Sequence, residues 1–371
     1  MKNLQFSWMT LGLATSVMFG VTACQPEAAT LSESNEVKTA QETDQKATIA
    51  AKPATVSKPT VAAKTCLELS KSMQKVDETS KIDAIYNIQK VLETCLPTAN
   101  NAEVLRLLAD YQAMYGRFLT LNHNMEDDNF YTVMSMADEG KKVPAPLLKT
   151  LNPRLKYLIG LVEDGADVRV IYLGEGYYAF THDLQAMADI FTPYLRQDQK
   201  AFIDRLAMDN QDILWNDGGI AISFAELMQR AVFWEDYIAR YPRGYAYQDA
   251  KQLSQTYRYL LFFGSNNTQW TDDTIHEFIA PEYRPLMLKL ARRPNSVLAR
   301  DAQTLLDFMA LSDSQRQERY PTPDLNENGD EIDEWAIPRY QLAKALLIES
   351  PWQADNKNCF AGIVCVENEI E

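Results

Sequence analysis

Only three histidines, His123, His182 and His276, occur in 371 residues, and each stands alone in the sequence. H-E-x-x-H is missing, which excludes a zinc hydrolase of that type, because two imidazoles one helical turn apart are what fix the metal. G-x-S-x-G is missing too, so no serine sits on the sharp strand-to-helix turn that exposes such a nucleophile. Basic charge is short: 36 Lys and Arg stand against 51 Asp and Glu, for a net charge of -15 and a pI near 4.8. Nucleic acid and anionic membrane surfaces are therefore excluded as partners held by bulk charge. Long apolar runs are also lacking. The longest that bears no charge, Phe6 to Val21, falls short of the roughly 20 residues that a spanning helix requires.

That run has a different use. Lys2 precedes it, and Val21-Thr22-Ala23 closes it with small residues before Cys24, the layout of a secretory signal with its cleavage site. The Val-Thr-Ala-Cys ending resembles the lipobox of bacterial lipoproteins. The resemblance implies cleavage before Cys24 and acylation of that cysteine. It also implies an anchor that works by burying methylenes at about 0.8 kcal/mol each. Gln25, in place of an aspartate, points to the periplasmic side of the cell outer membrane. In a cell without one, the chain sits on the outer face of the cytoplasmic membrane. Loss of residues 1–23 removes Lys2 and leaves a mature charge of -16.

Few cysteines remain, and their number is even, as an oxidising compartment favours. Cys66 opens one helical pattern, Asp77-Glu78-Thr79-Ser80 reads as a turn, and Cys95 closes the next pattern just before Pro97. The start of the first helix and the end of the second are neighbours in an antiparallel hairpin, which predicts a Cys66–Cys95 bridge. Cys359 and Cys365 enclose a short loop and pair locally.

Residues 24–64 have almost no large apolar side chain and two Lys-Pro steps, so they cannot bury enough surface to offset ordering entropy. They read as a tether with a typical reach of roughly 35 Å. Residues 65–371, rich enough in apolar and aromatic residues for a packed core, read as a helical domain, with a candidate subdomain break near 140–180.

Helical periodicity begins at Cys66. Val104, Leu108, Tyr111, Tyr115 and Phe118 fall on one stripe, and a Ser223-x-x-Glu226 capping box precedes Phe224, Leu227, Met228, Ala231, Val232 and Tyr237 at helical spacing. Thr181, Thr271 and Asn295 or Ser296 read as further N-caps, and Pro153, Pro242, Pro294 and Pro351 separate segments. The expectation is 11 to 13 helices and one small β-hairpin, Val168–Leu173 with Tyr177–Phe180, turning at Gly174-Glu175-Gly176. Tyr237 to Ala246, followed by Asp249-Ala250, resembles the inter-helix junction of tetratricopeptide-type proteins over about 30 residues, without a second copy at a 34-residue period. The resemblance implies stacked helical pairs with a protein- or peptide-binding groove. The fold class is thus all-α, packed antiparallel helical hairpins forming a solenoid or a compact bundle.

Candidate chemistry is sparse. Gly174-Glu175-Gly176-Tyr177-Tyr178-Ala179 matches G-x-G-x-x-A, but no helix opens at its third glycine position, so a tight hairpin turn is the reading. Asp324-Leu325-Asn326-Glu327-Asn328-Gly329-Asp330 resembles the start of an EF-hand-type loop, which implies calcium held by Asp324, Asn326, Asn328 and Asp330. The ending departs from that pattern, with Trp335 at position 12 and acids at Asp333 and Glu334, and Pro321 and Pro323 interrupt the incoming helix. A solvated acidic loop is the alternative. His123, near Glu126, Asp127 and Asp128, reads as part of a charged loop. His182 and Asp183 read as a first helical turn. Glu175, among Tyr172, Tyr177, Tyr178 and Phe180, is the candidate catalytic carboxylate for a glycan hydrolase or lyase, a role that needs burial to raise its pKa. Trp234-Glu235-Asp236 and Tyr241, Tyr245, Tyr247, Tyr257 and Tyr259 line either a groove or the core. The expected function is a lipid-anchored envelope binding or scaffolding protein. A wall hydrolase using Glu175 and a calcium-stabilised module are the alternatives.

Overall fold

A computed structural model describes residues 61–121, 129–323, 332–353 and 357–367. The chain is mostly helical, and one contiguous apolar core runs from Cys66 to Ile363.

Helices α1 (Val61–Met73) and α2 (Ile82–Cys95) form the first hairpin. Its turn closes through Ser80 N–H donating to Asp77 O at 3.1 Å, while the Asp77 carboxylate accepts from Thr79 N–H at 3.0 Å. These hydrogen bonds, the Thr79 hydroxyl foremost, hold the Asp77 carboxyl below its usual range. The open end is bridged by Cys66–Cys95, Cα to Cα 5.5 Å, as the hairpin geometry predicts. Closing a loop of 29 residues lowers the unfolded state's entropy by the equivalent of about 3–4 kcal/mol.

Helix α3 (Asn101–Leu119) begins with a complete capping box: Asn100 accepts from Glu103 N–H, and the Glu103 carboxylate accepts from Asn100 N–H. Its predicted stripe is buried throughout. Helices α4 (Phe130–Asp138), α5 (Ala145–Leu148) and α6 (Pro153–Glu163) follow. The chain then enters the antiparallel hairpin of β1 (Val168–Gly174) and β2 (Tyr177–His182). Gly174 and Gly176 hold φ of 98° and 82°, the left-handed region where a side chain is strained, so the G-x-G spacing serves the turn.

Strand β2 runs two residues further than expected, pairing His182 with Val168. Thr181 is therefore in a strand, and His182 ends it. Asp183 caps α7 (Leu184–Phe191) instead, accepting from Ala186 N–H at 3.0 Å. Helix α8 (Gln197–Asp209) leads to a two-residue ladder, β3 (Trp215–Asn216) with β4 (Gly219–Ile220).

Helices α9 (Phe224–Arg240) and α10 (Tyr247–Phe263) make the most extensive helix–helix contact in the molecule. Ser223 caps α9 as expected, but Glu226 does not reach back to it. Its carboxylate accepts from Arg230 Nε at 3.1 Å, and the half-box results. The Tyr237–Ala246 segment is the last turn of α9 and the connection to α10, fixed from α8, where the Asp198 carboxylate accepts from Tyr245 N–H at 2.8 Å.

Thr271 does not cap a helix. It forms an isolated bridge with Phe278, Asp272 accepts from His276 and Glu277 N–H at 2.8 and 2.9 Å, and Ile275 takes φ 56°. A left-handed residue there breaks any helical course. Helix α11 (Tyr283–Ala291) precedes α12 (Val297–Met309), which is capped by Ser296. Glu235 of α9 reinforces that cap, accepting from Val297 and Leu298 N–H at 2.6 and 3.0 Å, where the helix dipole favours an anion. Helices α13 (Asp313–Arg319) and α14 (Ile337–Leu346) follow. The last ladder, β5 (Lys357–Asn358) with β6 (Val366–Glu367), is closed by Cys359–Cys365. Gln112 of α3 clasps this loop, accepting from Ile363 and Val364 N–H at 2.8 and 2.9 Å and donating to Val364 O at 3.0 Å. The two-residue ladders are too short to leave an alternating pattern in the sequence.

Candidate functional site

Among the described residues, the cysteine pairs are brought together, while Glu175, His182 and His276 do not share a site. Cys24, His123 and the acidic run Asp324, Asn326, Asn328 and Asp330 lie outside the described residues. Glu175 is solvent-exposed on the hairpin turn with φ 50°. A glycan-cleaving acid works from a buried carboxyl, whereas the turn leaves Glu175 in water.

His182 is 3% exposed, its ring 3.7 Å from that of Tyr115. Neither ring nitrogen has a hydrogen-bond partner among the described residues, and burial pushes its pKa down to about 3. It is a neutral core residue. His276 is wired into structure, with Nδ1 3.1 Å from Met309 O and Nε2 3.0 Å from Asp313 Oδ1. No group of three or more metal-ligating side chains occurs among the described residues, and no described helix is long and apolar enough to cross a membrane.

The Trp234 region resolves into core. Trp234 and Tyr257 are fully buried, and Trp234 Nε1 donates to Asp209 Oδ2 at 3.2 Å. Asp209 also receives Arg205 at 2.7 Å and the fully buried Arg230 at 3.4 Å. Burial pushes the Asp209 carboxyl up, against the pull of both guanidinium groups. Glu226 continues this network to the wall of a polar recess of about 390 Å³ between β1 and the start of α9. Asp138, Arg169, Tyr172, Gln211 and Asp212 complete that wall. Two of these side chains already have partners in the fold: Arg169 donates to Gln211, and Gln211 to Asp183.

A second recess is smaller and carries more aromatic rings. Its volume is about 270 Å³, with Phe263, Trp270 and Ile275 as an apolar lining and Gln269, Asp273 and Arg339 among its polar groups. Trp335 also lines it and is 73% exposed. Phe263 then begins a series of rings. Its centroid is 4.9 Å from Tyr259, Tyr259 is 6.3 Å from Trp352, Trp352 is 5.5 Å from Trp215, and Trp215 is 6.3 Å from Phe360. Trp352 is 55% exposed, and Tyr259, Trp215 and Phe360 are half-buried.

Several elements build this track. Tyr259 and Phe263 are four residues apart on α10 and so share a face. The 3₁₀ turns Pro351–Gln353 and Glu334–Ala336 carry Trp352 and Trp335, β3 carries Trp215, and the disulfide-closed loop carries Phe360. Arg339 of α14 stands 5.7 Å over the Phe263 ring, a cation–π contact. Of these residues, the sequence pattern singles out only Tyr259 as a groove candidate. A tryptophan directly after Pro351, outside any helical stripe, was the available signal.

No protein-family model, curated protein or solved structure matches this chain.

Proposed function

We propose that this chain is a lipid-anchored protein of the cell envelope, held through Cys24 at the periplasmic side of the outer membrane, and that it binds an envelope component along the aromatic track. The observation that carries the binding reading is the exposure of two tryptophans, Trp335 at the mouth of the aromatic recess (73%) and Trp352 in the middle of the ring series (55%). Tryptophans left in water forgo a large burial free energy, and exposed aromatic clusters of this kind mark recognition surfaces. The signal sequence, the lipobox ending and the polar composition of the residues between Cys24 and α1 support the address, and two disulfides suit an oxidising compartment.

The test is crosslinking in intact cells, followed by recovery of the lipidated protein. Wild type should recover a specific envelope component. Trp335→Ala with Trp352→Ala should lose it, and Cys24→Ala should lose both membrane fractionation and the partner. Equal recovery by wild type and the double variant would overturn the binding surface. Membrane fractionation unaffected by Cys24→Ala would overturn the anchor.

A further inference from the structure

We infer that the recess at Trp335 and the ring series to Phe360 bind one extended, uncharged saccharide chain of β-linked N-acetylated hexosamines, an inference that rests on the binding reading above. The track is narrow. Two tryptophans at these exposures offer on the order of 300 Å² of ring surface. The rings from Phe263 to Phe360 follow one another in series, which suits a linear ligand.

Ring orientation narrows the class. Trp215 and Trp352 are inclined by 61° and Tyr259 and Trp352 by 78°, so they do not form a parallel slot for a flat aromatic ligand. A ligand touching them in turn must rotate its apolar face along its own axis. A β-linked sugar chain does so, since successive pyranoses present their C–H faces in alternating directions.

Polar groups at the Trp335 end point the same way. Asp273 and Gln269 are exposed, and Arg339 lies alongside. A carboxylate accepts, a guanidinium donates and an amide does both, which matches equatorial hydroxyls that themselves donate and accept. An acyl chain or apolar helix would desolvate these groups without pairing them, at about 1–3 kcal/mol each. The lining of Phe263, Trp270 and Ile275 suits the methyl of an N-acetyl group, and 270 Å³ suits a single sugar ring. The chain's own charge of -15 and Asp272 and Asp273 at the rim disfavour a phosphate-bearing polymer.

The probe is the β-1,4-linked N-acetylglucosamine tetramer, titrated into the mature lipidated protein in detergent and followed by tryptophan fluorescence, with maltotetraose as control. Saturable binding of the tetramer is expected, with at least tenfold weaker binding of maltotetraose and of the dimer. Trp335→Ala and Trp352→Ala should each weaken the tetramer at least tenfold with an unchanged thermal melt, and Trp352→Phe should retain most of the affinity. No saturation, or saturation unaffected by both alanine variants, would overturn the inference. If the tetramer fails while crosslinking in cells still requires Trp335 and Trp352, the saccharide assignment falls and the binding reading stands. If both fail, both fall.

Discussion

Two recesses among the described residues, of about 390 and 270 Å³, differ in what lines them. In the recess between β1 and α9, three lining side chains are partnered within the fold: Arg169 with Gln211, Gln211 with Asp183, Glu226 with Arg230. The recess at α10 and α14 is aromatic, and Trp335 at its mouth meets water. Volume alone would rank the first as the site. The first recess is the surface end of a buried network that the fold requires, whereas the second leaves the Trp335 ring largely in water. A group that satisfies its chemistry internally reports on stability, and one that does not reports on a ligand.

The largest effect expected from that contrast is beneath the polar recess. Asp209→Ala strands Arg230 and Arg205, and breaking a buried pair from one side costs about 3–5 kcal/mol. Urea unfolding should show that loss, and a change under 1 kcal/mol would mean that the network does not hold α8 to α9. Next is the first disulfide. Cys66→Ala with Cys95→Ala should lower stability by about 3 kcal/mol, with little effect on ligand recovery because the track is built elsewhere.

The third effect depends on pH. His182 has a folded pKa pushed down to about 3 by burial, against 6.5 for the free side chain. Between those values the unfolded chain binds a proton that the folded chain does not. The stabilisation is therefore complete above about pH 6.5 and is lost progressively as pH falls towards 3. At pH 4.5, two pH units below the free value, the loss should be about 3 kcal/mol. His182→Phe should flatten the wild-type difference between pH 7 and 4.5, and identical slopes for both proteins would show that His182 is hydrated or protonated in the fold. The smallest effect on stability is at the track itself, where Trp335→Ala should shift unfolding by less than about 0.5 kcal/mol. The calcium reading of Asp324 to Asp330 is settled by melting with and without chelator. A raised melt at millimolar calcium keeps it, and an unchanged melt removes it.

Much of the fold was legible because local signals and tertiary packing agree. The α3 stripe from Val104 to Phe118, the caps Ser223 and Ser296, the hairpin at Gly174-Glu175-Gly176 and both cysteine pairings follow from spacing of a few residues. Expectations failed where a longer-range partner intervened. Thr181 lost the cap because β2 extends by pairing His182 with Val168, and Thr271 lost it because Asp272 closes a loop over residues four and five positions on. Glu226 lost its half of the box to Arg230. The site was nearly illegible for a related reason. Trp215, Tyr259, Phe263, Trp335, Trp352 and Phe360 come from five separate segments, and no periodicity links them. Trp234 and Tyr257, at helical spacing, proved to be core.

Photo-crosslinking in living cells is the decisive experiment, with a photoreactive aromatic residue, which keeps a ring at the position, replacing Trp335 in one strain and Glu175 in another. Both positions are exposed, so accessibility does not distinguish them. The account predicts a discrete envelope adduct from position 335 and none from position 175. Adducts from 175 alone, or the same adducts from both, would contradict it.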